Sequence, residues 1–165
     1  KLGGHYIVIN TNRLILRPFK VEDATSFYEI TQDKAIKEYV PYASPESVEE
    51  SQQYIITYYA NGDFIHDFYF IIELQSTHEI IGSLIVTQNL EKEFDMSLVI
   101  SKKHRCNGYM AETIQAFIKS MPSNSHLIFL VNENNQASLN LMKRLQIPET
   151  DCNYPGNRKF LYVTH

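Results

Sequence analysis

The sequence predicts a mixed α/β fold, and three observations carry that prediction. Residues 11–19 alternate apolar and polar side chains through Leu14 and Leu16, the two-residue period of a half-buried strand. Three β-rich runs follow one another between residues 68 and 101, and from there the chain alternates strand, helix, strand, helix and strand to its end. This is not the regular alternation of a doubly wound fold, because only the step from 94–101 to 126–131 crosses a helix to reach a parallel partner.

The elements follow in order. Pro18 ends the first strand, and residues 21–33 place Ala24, Phe27, Tyr28 and Ile30 at helical spacing, which predicts one continuous helix. Pro41 and the cluster Ser44, Pro45, Glu46 break the chain before a second helix that runs to about Ala60. Either Ser44 caps that helix or Ser47, with Glu50 three residues on, forms a capping box one turn later. Asn61 and Gly62 then turn the chain. Runs 68–74 and 80–87, parted by a polar 75–79, read as a hairpin, and 94–101 adds a third antiparallel strand. The next helix carries Met110, Ile114, Phe117, Ile118 and Met121 on one face. A short apolar strand at 126–131, a helix over 135–145 and a strand at 159–163 close the order.

Composition narrows the function. A chain of 165 residues fits one domain, here taken as residues 1–165. Residues 1–5 lack the charged, apolar and small-residue sections of a secretory signal and are read as a trimmed or disordered start. With 44% hydrophobic and 21% charged residues and no apolar run of bilayer length, the sequence predicts a soluble protein without a membrane partner. A net charge of -4 argues against nucleic acid, which needs a surplus of Lys and Arg, and suits a cationic or amine substrate. Cys106 and Cys152 make at most one disulfide, so a reducing cytoplasm is the expected location.

The most informative stretch is Lys103, His104, Arg105, Cys106, Asn107, Gly108, Tyr109, Met110, Ala111, Glu112, lying between a strand and an amphipathic helix. A glycine-bearing loop that opens a helix leaves backbone N–H groups without intrahelical partners, where the helix dipole already favours an anion. The stretch therefore reads as a socket for a pyrophosphate. No Cys/His cluster has metal spacing, no Gly-x-Gly-x-x-Gly follows a strand and no Gly-Lys-Ser/Thr loop is present, so neither a metal nor a dinucleotide is expected.

With this loop and its flanks, the chain resembles the GNAT N-acetyltransferase superfamily, and within it the branch that acetylates ribosomal-protein N-termini (RimJ/RimL-like). The likeness runs from Arg13-Leu14-Ile15-Leu16-Arg17-Pro18-Phe19 through Ile80-Ile81-Gly82-Ser83-Leu84, Phe94-Asp95-Met96-Ser97-Leu98 and the Arg105 to Glu112 loop. It ends in Val131, Asn135-Gln136-Ala137-Ser138 and Lys143-Arg144-Leu145-Gln146-Ile147. Two residues depart from the family pattern: Met110 replaces a small residue, as members of the ribosomal branch often do, and Gln146 replaces a glycine, which predicts a reshaped helix end.

The resemblance implies a GNAT fold: a central, mostly antiparallel twisted sheet of six to seven strands, about four helices, and a βαβ unit that binds acetyl-CoA. It implies an acetyl-CoA-dependent N-acetyltransferase in which a primary amine attacks the thioester directly in a ternary complex. The acceptor would be a ribosomal or other protein N-terminus, or a small amine such as a polyamine or aminoglycoside. Main-chain amides of Arg105, Cys106, Asn107, Gly108, Tyr109 and Met110 would hold the pyrophosphate, and the edge near Val99 and Ile100 would pair with pantetheine. Asn135 would anchor the pantetheine amide, and Ser138 would protonate the departing thiolate. From spacing alone, Asn135 and Ser138 share a helix face, and Asn135 equally fits a helix cap while Ser138 fits a small packing residue.

Relatives carry an acidic residue where Asp95 stands, on one strand face with Ser97 and Val99, which makes it the candidate base or amine-binding group; a solvated carboxylate at a strand end is the alternative. Glu133 and His66 are weaker candidates by neighbourhood, and Tyr39, Tyr42, Tyr58 and Tyr59 lie near the region that borders the acceptor site in relatives. The runner-up function is a CoA-binding sensor or interaction domain without turnover. A monomer is expected, or a homodimer through an exposed sheet edge.

Overall fold

The computed structural model describes residues 7–40, 44–60 and 66–165. The two-residue strand β1 (Ile9–Asn10) pairs with β2 (Leu14–Pro18), a 3-10 turn spans Val21–Asp23, and helices α1 (Ala24–Thr31), α2 (Lys34–Tyr39) and α3 (Val48–Tyr54) follow. A π turn, Ile55–Tyr59, extends α3. Strands β3 (Phe68–Leu74), β4 (Ile80–Leu90) and β5 (Glu93–Ile100) form the meander. Helix α4 (Tyr109–Ser120), β6 (His126–Asn132), α5 (Gln136–Arg144), β7 (Glu149–Thr150) and β8 (Asn157–Val163) complete the chain.

Among the described residues the sheet has eight strands in the order β1-β2-β3-β4-β5-β6-β8-β7, one more than the largest number expected. The extra pieces are β1 and β7, each of two residues, too short for any periodicity to reveal. Every pairing is antiparallel except β5 with β6.

Helix periodicity over 21–33 does not produce one helix. Thr31 turns its hydroxyl back to the Phe27 carbonyl at 2.9 Å, and Asp33 takes an extended backbone whose carboxylate accepts from the Ala35 amide at 3.2 Å. Asp33 thus starts a separate short helix, because an aspartate competes for the amides at an N-terminus better than it continues a helix interior. The second predicted helix begins at Val48: Ser47, not Ser44, accepts from the Glu50 amide at 3.0 Å. The predicted turn at Asn61 and Gly62, together with Pro41, Tyr42 and residues 1–5, lies outside the described residues.

Two apolar cores sandwich the sheet. On one face Leu16, Phe70, Leu84 and Leu127 pack under Ile114 and Phe117 of α4 and Leu139 and Met142 of α5. Phe117 meets Phe68 and Phe70 with ring centroids 5.6 and 6.2 Å away. Phe19, Phe27, Ile55 and Ile71 form the second core with α1 and the π turn. There Arg17 of β2 binds Asp23 at 2.8 Å and Glu73 of β3 at 2.7 Å, so one partly buried guanidinium ties the helical entry to the sheet. No helix among the described residues is long and apolar enough to cross a membrane.

The parting of β5 from β6 positions the site. The two strands pair only from Glu93, Phe94 and Asp95 to His126, Leu127 and Ile128. Beyond that point β5 stays with β4 up to Ile100, while β6 stays with β8 up to Asn132. A wedge opens between them, with one edge of β5 free of β6 and the α4 loop at its mouth.

Candidate active site

The wedge holds a cavity of about 730 Å³. Its walls come from Leu98, Val99 and Ile100 of β5, the loop and first turn of α4, the start of α5 and one side of α2. These elements converge because β5, α4, β6 and α5 form one crossover followed by a return helix, which brings both helix N-termini to the open end of the wedge.

The loop before α4 has the expected backbone except at its first residue, since the Arg105 amide donates to the Lys102 carbonyl at 3.5 Å and does not join the free row. Cys106 and Gly108 both adopt positive φ, +62° and +79°, so the chain turns twice in three residues. A Cβ on Gly108 would meet only Arg13 Nη2, at 3.5 Å, so glycine is needed there for its conformation and not for space. Among the described residues no acceptor meets the amides of Cys106, Asn107, Gly108, Tyr109, Met110 or Ala111; the first intrahelical bond runs from the Glu112 amide to the Gly108 carbonyl, at 3.0 Å. Unpaired amides at the positive end of a twelve-residue helix offer a socket of the kind an anion can occupy.

Side chains brace this socket. Arg13, just before β2, donates to the Asn107 carbonyl at 2.9 Å, pairs with Glu112 at 2.6 Å and lies over the Tyr109 ring, 4.4 Å from its centroid. Burial pushes the Glu112 carboxyl up, but bonds from Thr11 and Arg13 outweigh it and hold the group below the usual carboxylate range. Asn107 folds its amide onto the carbonyls of His104 and Arg105 at 3.1 and 3.0 Å. His104 borders the cavity with Nδ1 against Ser101 Oγ at 2.6 Å.

Arg105 does not point freely into solvent. Its Nε donates to the Ile100 carbonyl at 3.1 Å and its Nη2 to Asp33 at 2.8 Å. Burial raises the Asp33 carboxyl, and the bond and charge of Arg105 reverse this and hold it low.

At the other wall, Asn135 is the N-cap of α5: its Oδ1 accepts from the Ser138 amide at 3.2 Å. The predicted helix start therefore moves by one residue, and the capping alternative holds while Asn135 also lines the cavity. Ser138 lines it as well, and its hydroxyl has no hydrogen-bond partner among the described residues. Gln146 takes φ +55° and does not reshape the end of α5. The Gln146 amide reaches the Lys143 carbonyl at 3.1 Å and the Ile147 amide reaches Met142 at 3.0 Å, the double bond of a Schellman ending, with Ile147 buried beneath it.

The structure brings Val99, Ile100, Arg105, Cys106, Gly108, Tyr109, Met110, Asn135 and Ser138 around one cavity. It does not bring Asn107 or Asp95 there. Asp95 sits where β5 is still flanked by Thr87 and Ile128, and its carboxylate accepts from Asn89 Nδ2 at 2.5 Å, because the wedge opens only after it. Glu133 and His66 are not on the cavity wall either. Of the tyrosines, Tyr39 lines the cavity, Tyr59 packs between Phe19 and Phe27, Tyr58 is exposed, and Tyr42 lies outside the described residues.

Sequence reading missed α2, whose Ala35, Ile36 and Tyr39 form a wall with Val40, and it missed the Arg13 brace. Asp33 was the available signal for the first, an aspartate at N-cap spacing inside an apparently continuous helix. Both cysteines are free thiols, and among the described residues no group of three or more His, Cys, Asp or Glu could hold a metal.

A family profile described as "Acetyltransferase (GNAT) domain" matches residues 13–147, most of the chain. This chain belongs to the GNAT acetyltransferase family. It is an acetyltransferase, and its mixed α/β architecture with a mostly antiparallel sheet is that of the GNAT fold.

Solved GNAT structures share that architecture. An acetyltransferase of the GNAT family from Bacillus anthracis is 17% identical with a TM-score of 0.79, over 96% of this chain and 99% of that one. An acetyltransferase from Salmonella typhimurium that modifies the N-terminal serine of the 50S subunit protein L7/L12 is 14% identical with a TM-score of 0.80, over 96% and 100%. RimL, a ribosomal L7/L12 alpha-N-protein acetyltransferase solved with coenzyme A, is 15% identical with a TM-score of 0.80, over 95% and 98%. At these identities the likeness is one of fold. No curated protein sequence matches the chain significantly.

Proposed function

We propose that this GNAT acetyltransferase moves the acetyl group of acetyl-CoA to a primary amine, at a protein N-terminus or on a small molecule, by direct attack in a ternary complex. The observation that carries the reading is the row of unpaired amides from Cys106 to Ala111, four of whose residues (Cys106, Gly108, Tyr109 and Met110) line a cavity large enough for the donor's arm.

In this reading the diphosphate rests on those amides, with Gly108 allowing close approach. The free edge of β5 near Val99 and Ile100 takes the pantetheine as an added strand, and Asn135 offers its amide nitrogen while its oxygen stays on the helix cap. The amine nitrogen bonds to the acetyl carbon and the carbon–sulfur bond breaks. The thiolate takes the proton of the Ser138 hydroxyl, which the proton lost by the amine restores. No carboxylate among the described residues lines the cavity, so amine deprotonation is assigned to solvent and not to Asp95. A protein N-terminus suits this well, since its amine is far less basic than a lysine and is partly neutral near pH 7.

The acceptor class is supported by the architecture shared with enzymes described as acting on ribosomal-protein N-termini. An acetyl-CoA consumption screen over N-terminal peptides, polyamines and aminoglycosides, with products identified by mass spectrometry, tests it. Acetylation of an α-amine peptide is the expected result. CoA binding without thiol release from any acceptor would make the chain a CoA-binding sensor.

A further inference from the structure

We infer that Arg105 is a positioning residue for the α2 wall of the cleft, acting through Asp33 to hold that helix in place. The inference rests on the donor reading above only for its coupling to CoA; the tie itself is independent of it.

Helix α2 has six residues, too few to be stable alone, and only Ile36 among them is buried. Yet Ala35, Ile36 and Tyr39 form one wall of the cavity. The helix is fastened by a polar contact at each end. At its start the Asp33 carboxylate accepts from the Ala35 amide at 3.2 Å and from Arg105 at 2.8 Å. At its finish the Tyr39 hydroxyl donates to the Asn134 carbonyl at 3.4 Å, next to the Asn135 cap.

The first fastener reaches the loop that carries the free amides, and the second reaches the loop that opens α5. The Arg105 guanidinium is already engaged by Asp33 and by the Ile100 carbonyl, so its role is to join the anion loop and the end of β5 to α2. A donor that orders residues 105–110 then also orders α2. By thermodynamic reciprocity, an acceptor that contacts α2 tightens the hold on the donor.

The test compares Arg105→Gln, Asp33→Ser and the double variant with the wild type. Serine keeps a helix cap and removes only the tie to Arg105. Amide hydrogen exchange of α2 is read without ligand and with saturating CoA, and CoA affinity is read by calorimetry. Each single variant is expected to speed exchange of the α2 amides about tenfold in the free protein, with the double variant no faster than either. CoA is expected to protect α2 in the wild type and much less in the variants. Tyr39→Phe, which removes one hydroxyl, is expected to speed exchange at Val40 and leave Ala35 as it was.

Three results would overturn the inference: Asp33→Ser behaving as wild type, Arg105→Gln weakening CoA binding with α2 exchange unchanged, or additive effects in the double variant. Absence of CoA binding by the wild type would instead defeat the donor reading, while exchange in the free protein would still decide the tie.

Discussion

Arg13 and Glu112, 99 residues apart in the chain, form an ion pair that fastens the first turn of α4 to the start of β2. The same guanidinium holds the Asn107 carbonyl and covers the Tyr109 ring, so one side chain braces the loop from outside while its amides stay free. Preorganising a backbone socket in this way lowers the ordering cost of binding.

Arg13→Ala is therefore expected to weaken acetyl-CoA binding by about 1 kcal/mol, roughly fivefold, with kcat little changed once donor saturates. Calorimetry with CoA and steady-state kinetics check it. The pH dependence has a definite sign. The Glu112 carboxyl lies below its ordinary value in the folded protein, so its pairing stabilises the loop above the unfolded carboxylate range and is lost as pH falls through the lowered folded value. Loop loosening is expected in acid, below about pH 4, and not near neutrality.

Gly82 of β4 faces Ile100 of β5, and a Cβ built on it would lie 2.1 Å from the Val99 carbonyl oxygen. Gly82→Ala must shift the backbone of β5 at the mouth of the wedge. It is expected to cost about 1–3 kcal/mol of stability and to raise the KM for acetyl-CoA in the protein that remains folded. Thermal unfolding and donor kinetics measure both; an unchanged melting temperature would contradict the close contact.

Ser138→Ala is expected to lower kcat on the order of a hundredfold with little change in CoA affinity, since the hydroxyl acts as the thiolate leaves. Single-turnover measurements ensure that chemistry is being read. An unaltered chemical step would remove Ser138 from the mechanism.

Gln146 holds a left-handed backbone that glycine adopts freely. Gln146→Gly is expected to stabilise the protein by up to about 1 kcal/mol, the left-handed strain being partly offset by the greater freedom of glycine when unfolded. That corresponds to a melting temperature higher by about 2–4 °C, readable by calorimetry.

These outcomes also mark where sequence reading worked. Phe68–Leu74 was legible to the residue, because its apolar side chains serve two cores at once and leave few alternatives. The amide loop was legible because glycine beside a helix start has a specific backbone meaning. The break before α2 was not, because Asp33 interrupts a helix by one cap bond that apolar spacing does not register. Arg13 was not, because its partners lie far along the chain and no local pattern names them. Asp95 was placed on the correct strand and still missed the cavity, since the point at which β5 and β6 separate is a property of the sheet and not of either strand.

That separation has an evolutionary corollary. The seat it opens is defined by peptide groups, which every amino acid supplies alike. Structures of the same shape at 14–17% identity differ from this chain at roughly five of every six positions, so the fold that carries those peptide groups tolerates wide exchange of side chains. Variation is then free to fall on the side chains that wall the wedge, those of α2 among them.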